Sequence, residues 1–152
     1  MSLYALPSSW RDEGGRSVRL EEWRGRCVVL AMAYTGCQRT CPATFAALDA
    51  IQRHATEHDK TIEVVVVSLD PDHDTPAALA TFRRRRGLSA GNWHFLTGSL
   101  ADTRQLADLV GIWFSKPEDH IFHSFRIVVL DPAGEIRHVI DWDHRDPDLA
   151  LR

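Results

Sequence analysis

Tyr34-Thr35-Gly36-Cys37-Gln38-Arg39-Thr40-Cys41-Pro42 is the stretch on which this chain is organised. An apolar run from Cys27 to Ala33 precedes it and reads as a buried strand. Residues from Ala43 to His54 follow and read as a helix, with Phe45, Leu48 and Ile51 on one face and Asp49, Gln52 and Arg53 elsewhere. Cys37 and Cys41 therefore sit at a strand-to-helix junction. A helix N-terminus offers unsatisfied N–H groups and the positive end of a dipole. Both favour a thiolate, the form that attacks disulfides and binds metals. Cys41 reads as the N-cap or a first-turn residue. Pro42 then takes the first helical position, where its missing N–H costs nothing.

Composition narrows the function. The chain has 152 residues, 44% of them hydrophobic and 26% charged, which fits one domain, residues 1–152, with a sizeable core. A net charge of −3 argues against a nucleic-acid binder. The basic run Arg83 to Arg86 ends a helix-like segment, where cations suit the dipole. Three cysteines are too few for the disulfide framework of a small secreted scaffold. Cys27 is expected as a buried core residue of its strand. No apolar run is long enough to span a bilayer, and no charged-then-apolar leader precedes the domain. The expectation is that any membrane contact is made through a leader that this chain does not show.

The order of elements completes the fold. Residues 1 to 26 hold two strand-like pieces around Gly14-Gly15, read as a half-exposed hairpin, with Trp10 and Trp23 covering a sheet edge. Ile62 to Leu69 is a second strand buried on both faces. Thr75 and Pro76 open a helix to about Arg86; Trp93 to Thr97 is a short strand; Ser99 caps a helix through Val110. Phe114 to Phe122 reads as a loop. A hairpin follows, Ser124 to Leu130 and Glu135 to Ile140, around the turn Asp131-Pro132-Ala133-Gly134. Asp146-Pro147 begins a last helix. Two buried strands joined by a helix make a right-handed βαβ unit. The whole order resembles a thioredoxin-like α/β fold, a central mixed β-sheet flanked by helices, with an N-terminal β-hairpin extension.

Cysteines four positions apart at a helix start can share one ion or join as a disulfide. Two thiolates prefer soft metals, Cu(I) or Zn(II). Structural zinc wants four ligands, usually with a second cysteine pair, and none exists here. Two cysteines with one further ligand suit copper better. The candidates for that ligand are the histidines at 54, 58, 73, 94, 120, 123, 138 and 144. His54 and His58 share a helix face but lie at the far end of the cysteine helix and read as solvated. His123 stands where a loop enters the Ser124–Leu130 strand. In a thioredoxin-like sheet such a loop lies beside the N-terminus of the first helix. His120, in the same loop, is the runner-up. The acidic loop Asp70 to Asp74 lacks the glycine and closing glutamate of a calcium loop. It reads as turn and helix cap, close enough to the cysteines for a supporting role.

Together, Tyr34–Pro42, Val67-Ser68-Leu69-Asp70-Pro71 with Asp74-Thr75-Pro76, and His123-Ser124 before Asp131-Pro132-Ala133-Gly134 resemble the Sco/SenC family over nearly the whole chain. The resemblance implies copper, Cu(I) or Cu(II), bound by Cys37, Cys41 and His123. It implies delivery of copper to the CuA site of cytochrome c oxidase, or reduction of the thiols there. The implied partners are the oxidase subunit carrying CuA or another copper acceptor, and a thiol–disulfide reductase. The implied place is the periplasmic face of a bacterial inner membrane, or the mitochondrial inner membrane, reached through an N-terminal anchor. Where the family often has an acidic residue before the histidine, this chain has Phe122. The competing reading is a thiol–disulfide oxidoreductase that uses Cys37 and Cys41 as its redox pair. A peroxidase is a distant third: Cys41-Pro42 followed by Thr44 is faintly similar to a peroxidatic loop, without its preceding pattern.

Overall fold

The computed structural model describes residues 1–36, 40–88, 90–115 and 121–143, with only the backbone of Thr40, Cys41 and Phe122 described. The two apolar runs become its central strands. β3 (Val28–Ala33) and β4 (Glu63–Ser68) are buried at every position, as strands covered on both faces must be. They pair in parallel, Val28 against Glu63 through Ala33 against Ser68. The connection between them is α1 (Thr40–Glu57). α2 (Pro76–Arg85) then leads into β5 (Trp93–Gly98), which lies parallel to β4 on its other side. Thr75 caps α2 with its side-chain oxygen on Ala78 N, and Pro76 follows at the first helical position, as the sequence predicts.

Both crossovers step the same way across the sheet, so right-handed connections place α1 and α2 on one face. Phe45 of α1, Phe82 of α2 and Phe95 of β5 meet there, with ring centroids 5.3 to 6.5 Å apart. Arg86 lays its guanidinium over Phe45 at 4.5 Å and Phe82 at 5.3 Å. α3 (Leu100–Val110) is capped by Ser99 and buries Thr103, Leu106, Ala107 and Val110. Its chain stops at Gly111, whose φ of 78° only glycine adopts without strain.

The remaining strands are antiparallel. β1 (Trp10–Asp12) and β2 (Ser17–Val18) form the expected N-terminal hairpin, and β1 docks on β5 with Trp10 opposite Gly98. Trp10 and Trp23 are both buried; Trp10 is itself a residue of β1, paired within the sheet rather than laid over its edge. β8 (Ile127–Leu130) lies against β3, and β9 (Ile136–Ile140) against β8 with a register shift at Val129/Leu130. Among the described residues, seven strands thus form one mixed sheet in the order β2-β1-β5-β4-β3-β8-β9.

The structure departs from the sequence reading in four places. Residues 114–122 hold more than a loop: β6 (Phe114–Ser115) pairs antiparallel with β7 (Phe122–His123). Two-residue strands are too short to show an alternation, so periodicity could not find them. His123 accordingly belongs to this ribbon, and β8 begins only at Ile127. α1 starts at Thr40, which puts Pro42 third in the helix. Its missing N–H still falls among the first four that no carbonyl accepts. Cys27 precedes β3 and is half-buried, packed against the core rather than inside it. The expected last helix at Asp146-Pro147 lies outside the described residues.

Phe45 is 2% exposed and is the ring through which α1 holds both α2 and β5. Phe45→Ala is expected to cost about 3–5 kcal/mol. Urea unfolding should show it as a lowered midpoint with an unchanged slope.

Candidate metal centre

The end of β3 carries the chain out of the sheet at Tyr34-Thr35-Gly36, directly before Cys37. Each of the first two residues is fastened by its side chain. Thr35 is held by Asp74, the last residue of the acidic loop after β4. Asp74 is 1% exposed. Its carboxylate accepts from Thr35 N at 3.1 Å, Thr35 Oγ1 at 2.5 Å and Ser68 Oγ at 2.7 Å. Ser68 closes β4, so one carboxylate binds the exits of both central strands. The loop itself is wound as a turn, with Asp74 N on the Asp70 carbonyl and the His73 ring against the Asp70 carboxylate. The expected turn and capping role is present, and Asp74 adds a support for the cysteine loop.

Tyr34 reaches the other way. Its hydroxyl donates to the Ile121 carbonyl at 2.7 Å, just before β7. Its ring meets the His123 imidazole edge-on, centroids 5.9 Å apart. The histidine chosen from the sequence is thus held beside the strand end that runs into Cys37. His123 is 8% exposed. Its Nδ1 lies 3.0 Å from the Ser124 carbonyl oxygen. A carbonyl only accepts, so Nδ1 carries the proton and Nε2 the lone pair, the tautomer that metal-binding imidazoles adopt. Burial pushes its pKa below the ordinary 6.5, against a smaller upward pull from the Ser124 bond. The imidazole is neutral at pH 7 and suited to be a ligand.

Cys41 is the second residue of α1, in the first turn, where the dipole favours thiolate. Cys37 and His120 lie outside the described residues, as does His144. Cys27 sits before β3, seven residues and about 23 Å along the strand from Tyr34. Burial raises its thiol pKa, opposed by Arg137, so this thiol stays protonated and unreactive. The other histidines are elsewhere: His94 Nε2 donates to the buried Glu63 carboxylate at 2.8 Å, which also accepts from Arg26. His138 is on β9, and His54 and His58 are at the end of α1. Within the stretch from Tyr34 to Pro42 the sequence assigns no role to Tyr34 or Thr35; their signal is only their place between strand and cysteine.

A mixed sheet in this strand order, with its parallel strands joined through helices, is a thioredoxin-like fold. The sequence model of the SCO1/SenC family matches residues 7–151, and the chain belongs to that family. It is 27% identical over 129 residues to the SCO1 protein homolog of Bacillus subtilis, covering 85% of this chain and 60% of that protein. The chain therefore spans about three fifths of that relative's length. Among solved structures, it matches a SCO1/SenC family lipoprotein from Bacillus anthracis with a TM-score of 0.86 at 24% identity, over 98% of this chain and 92% of that one. It also matches Arabidopsis thaliana ScoI with copper bound, TM-score 0.80 at 21% identity, over 95% of this chain and 91% of that one. Among the described residues no helix is long and apolar enough to cross a membrane.

Two outcomes follow from this geometry. Asp74→Asn turns an amide N–H₂ towards groups that are themselves donors, and should cost about 1–3 kcal/mol in denaturant unfolding. His123 should titrate by NMR in the reduced, metal-free protein with a midpoint below 6.5. Its folded pKa is the lower one, so the unfolded chain takes up the proton first. The His123 contribution to stability is therefore lost as pH falls from 6.5 through the folded value, and is constant above that window.

Proposed function

We propose that this chain is a copper-binding metallochaperone of the SCO1/SenC type. It delivers copper to the CuA site of cytochrome c oxidase, or reduces the thiols of that site. Cys37, Cys41 and His123 hold the metal, Cu(I) or Cu(II). The observation that carries the reading is the buried, neutral His123, tied through Tyr34 to the strand end that leads into Cys37. Two thiolates and one imidazole form a donor set that selects copper over harder ions. The copper bound to the Arabidopsis relative supports the same assignment. The partners in this reading are the oxidase subunit bearing CuA, or another copper acceptor, and a thiol–disulfide reductase. The work is done at the outer face of a bacterial inner membrane or at the mitochondrial inner membrane; the lipoprotein relative from Bacillus anthracis supports a membrane-side location.

The chain's own residues have distinct tasks in this scheme. The α1 N-terminus favours the Cys41 thiolate. The Ser124 carbonyl holds the Nδ1 proton of His123 and so presents Nε2. Asp74 and Tyr34 fix the approach to Cys37. The same helix-end activation favours a second reading, a thiol–disulfide oxidoreductase on Cys37 and Cys41.

The two readings part at His123, since a metal site needs a third ligand and dithiol exchange does not. His123→Ala should abolish Cu(II) binding and leave the reduction potential of the cysteine pair little changed. Cys37→Ser and Cys41→Ser should each remove copper, and Cys27→Ser should keep it. The measurements are copper titration of the anaerobic reduced protein and equilibration with a thiol redox buffer. Wild-type copper affinity in His123→Ala would reject the chaperone and leave the oxidoreductase.

A further inference from the structure

The last turn of α1 and the residue that follows it read His54-Ala55-Thr56-Glu57-His58. On a helix, residues three and four apart share a face, so His54 faces both Glu57 and His58. The structure draws the three together. The imidazole rings of His54 and His58 have centroids 4.2 Å apart, inclined at 36°. One ring nitrogen from each histidine and one carboxylate oxygen of Glu57 lie within 4.8 Å of one another. Among the described residues, no other trio of histidine, cysteine, aspartate and glutamate converges in this way.

The His58 ring is fixed in orientation as well as position. Its Nδ1 lies 2.9 Å from the His54 carbonyl oxygen. That oxygen only accepts, so the proton is on Nδ1 and the lone pair on Nε2. A backbone carbonyl on one ring nitrogen, with the other left to bind, is how metal-binding imidazoles are commonly held. The His58 backbone N–H bonds the same carbonyl at 3.2 Å. The negative end of the α1 dipole lies at this turn and favours a cation.

We infer that His54, Glu57 and His58 form a metal site of their own, which takes a borderline divalent ion, Zn(II) or Cu(II). Two imidazoles and a carboxylate suit these ions, and without a thiolate they do not select Cu(I). Glu57 and His58 are exposed, so water completes the coordination. The spacing of two histidines by four on one helix face is that of zinc-binding helices. The site is separate from the cysteines, because sixteen residues at about 1.5 Å each put it about 24 Å from Cys41. Cu(II) counted on the whole protein then includes an ion that Cu(I) counts would not. That consequence rests on the chaperone reading, whereas the site itself does not.

The test removes the thiols so that the two sites cannot be confused. Zn(II) is titrated by calorimetry into the full chain carrying Cys37→Ser and Cys41→Ser. The wild-type chain with its thiols alkylated is run in parallel. One Zn(II) per chain is expected in both. His54→Ala or His58→Ala should weaken binding by about tenfold or more, and Glu57→Gln by less. His73→Ala, another exposed histidine, should change nothing. Substoichiometric Ni(II) should broaden the ring protons of His54 and His58 before those of His73, His94 and His138. The assignment is overturned if no saturable Zn(II) binding appears, if binding survives the double His54→Ala, His58→Ala variant, or if other histidines broaden first. None of these readouts depends on copper at Cys37, Cys41 and His123, so this site can fail without the chaperone reading failing.

Discussion

A carboxylate shut away from water must be answered by donors, and the answer given to Asp74 sets the geometry of the functional end of this protein. At 1% exposure it has lost the solvent that would otherwise stabilise it. Thr35 and Ser68 supply the replacement hydrogen bonds. Those residues are at corresponding ends of β3 and β4, so the demand of one side chain fixes where two strands stop. The chain leaving β3 can then turn in only a narrow range of directions before it reaches Cys37. The arrangement is stiff because breaking any one bond leaves a buried polar atom unmet.

Tyr34 works on the opposite side of the same exit. Its hydroxyl and ring bind the β6–β7 ribbon at Ile121 and His123, and the ribbon is too short to be stable alone. The ribbon is further tied by Ser124, whose N–H and hydroxyl engage Trp113 across the connection. His123 is therefore positioned by contacts that come from the sheet, although it lies outside it. Below them, the ring cluster of Phe45, Phe82 and Phe95 keeps the first turns of α1 on the sheet. The three stretches of the candidate site are thus each fastened to the core by a different chemistry: a buried carboxylate, a phenol and a set of packed rings.

Most of the fold was legible because its signals were local and strong. Val64 to Val67 could only be an interior strand, and Thr75-Pro76 and Ser99 announce helix starts by capping chemistry. The turn at Asp131-Pro132-Ala133-Gly134 is similarly explicit: Asp131 Oδ1 accepts from Ala133 N and Glu135 N, and Gly134 takes a φ of 84°. His123 was found as a candidate ligand by its place before a strand, yet the strand it belongs to was not. β6 and β7 exist because of pairing between residues seven and nine positions apart, which no single-residue preference records. The role of Asp74 was hidden for a related reason. Asp70, Asp72 and Asp74 look alike in sequence, and only burial sets Asp74, at 1% exposure, apart from the other two.

The register shift between Val129 and Leu130 bears on the behaviour of this protein in company. A sheet that ends in two strands offers unpaired N–H and carbonyl groups to any neighbouring chain. At one border, β2 is two residues long and gives a partner little to grip. At the other, β9 is the outermost strand among the described residues, and it carries Arg137 and His138. The bulge beside it bends and twists that border out of the flat geometry in which strands of separate molecules zip together. A protein whose interior is built on runs as apolar as Val64 to Val67 thereby keeps its borders poor templates for intermolecular sheet growth.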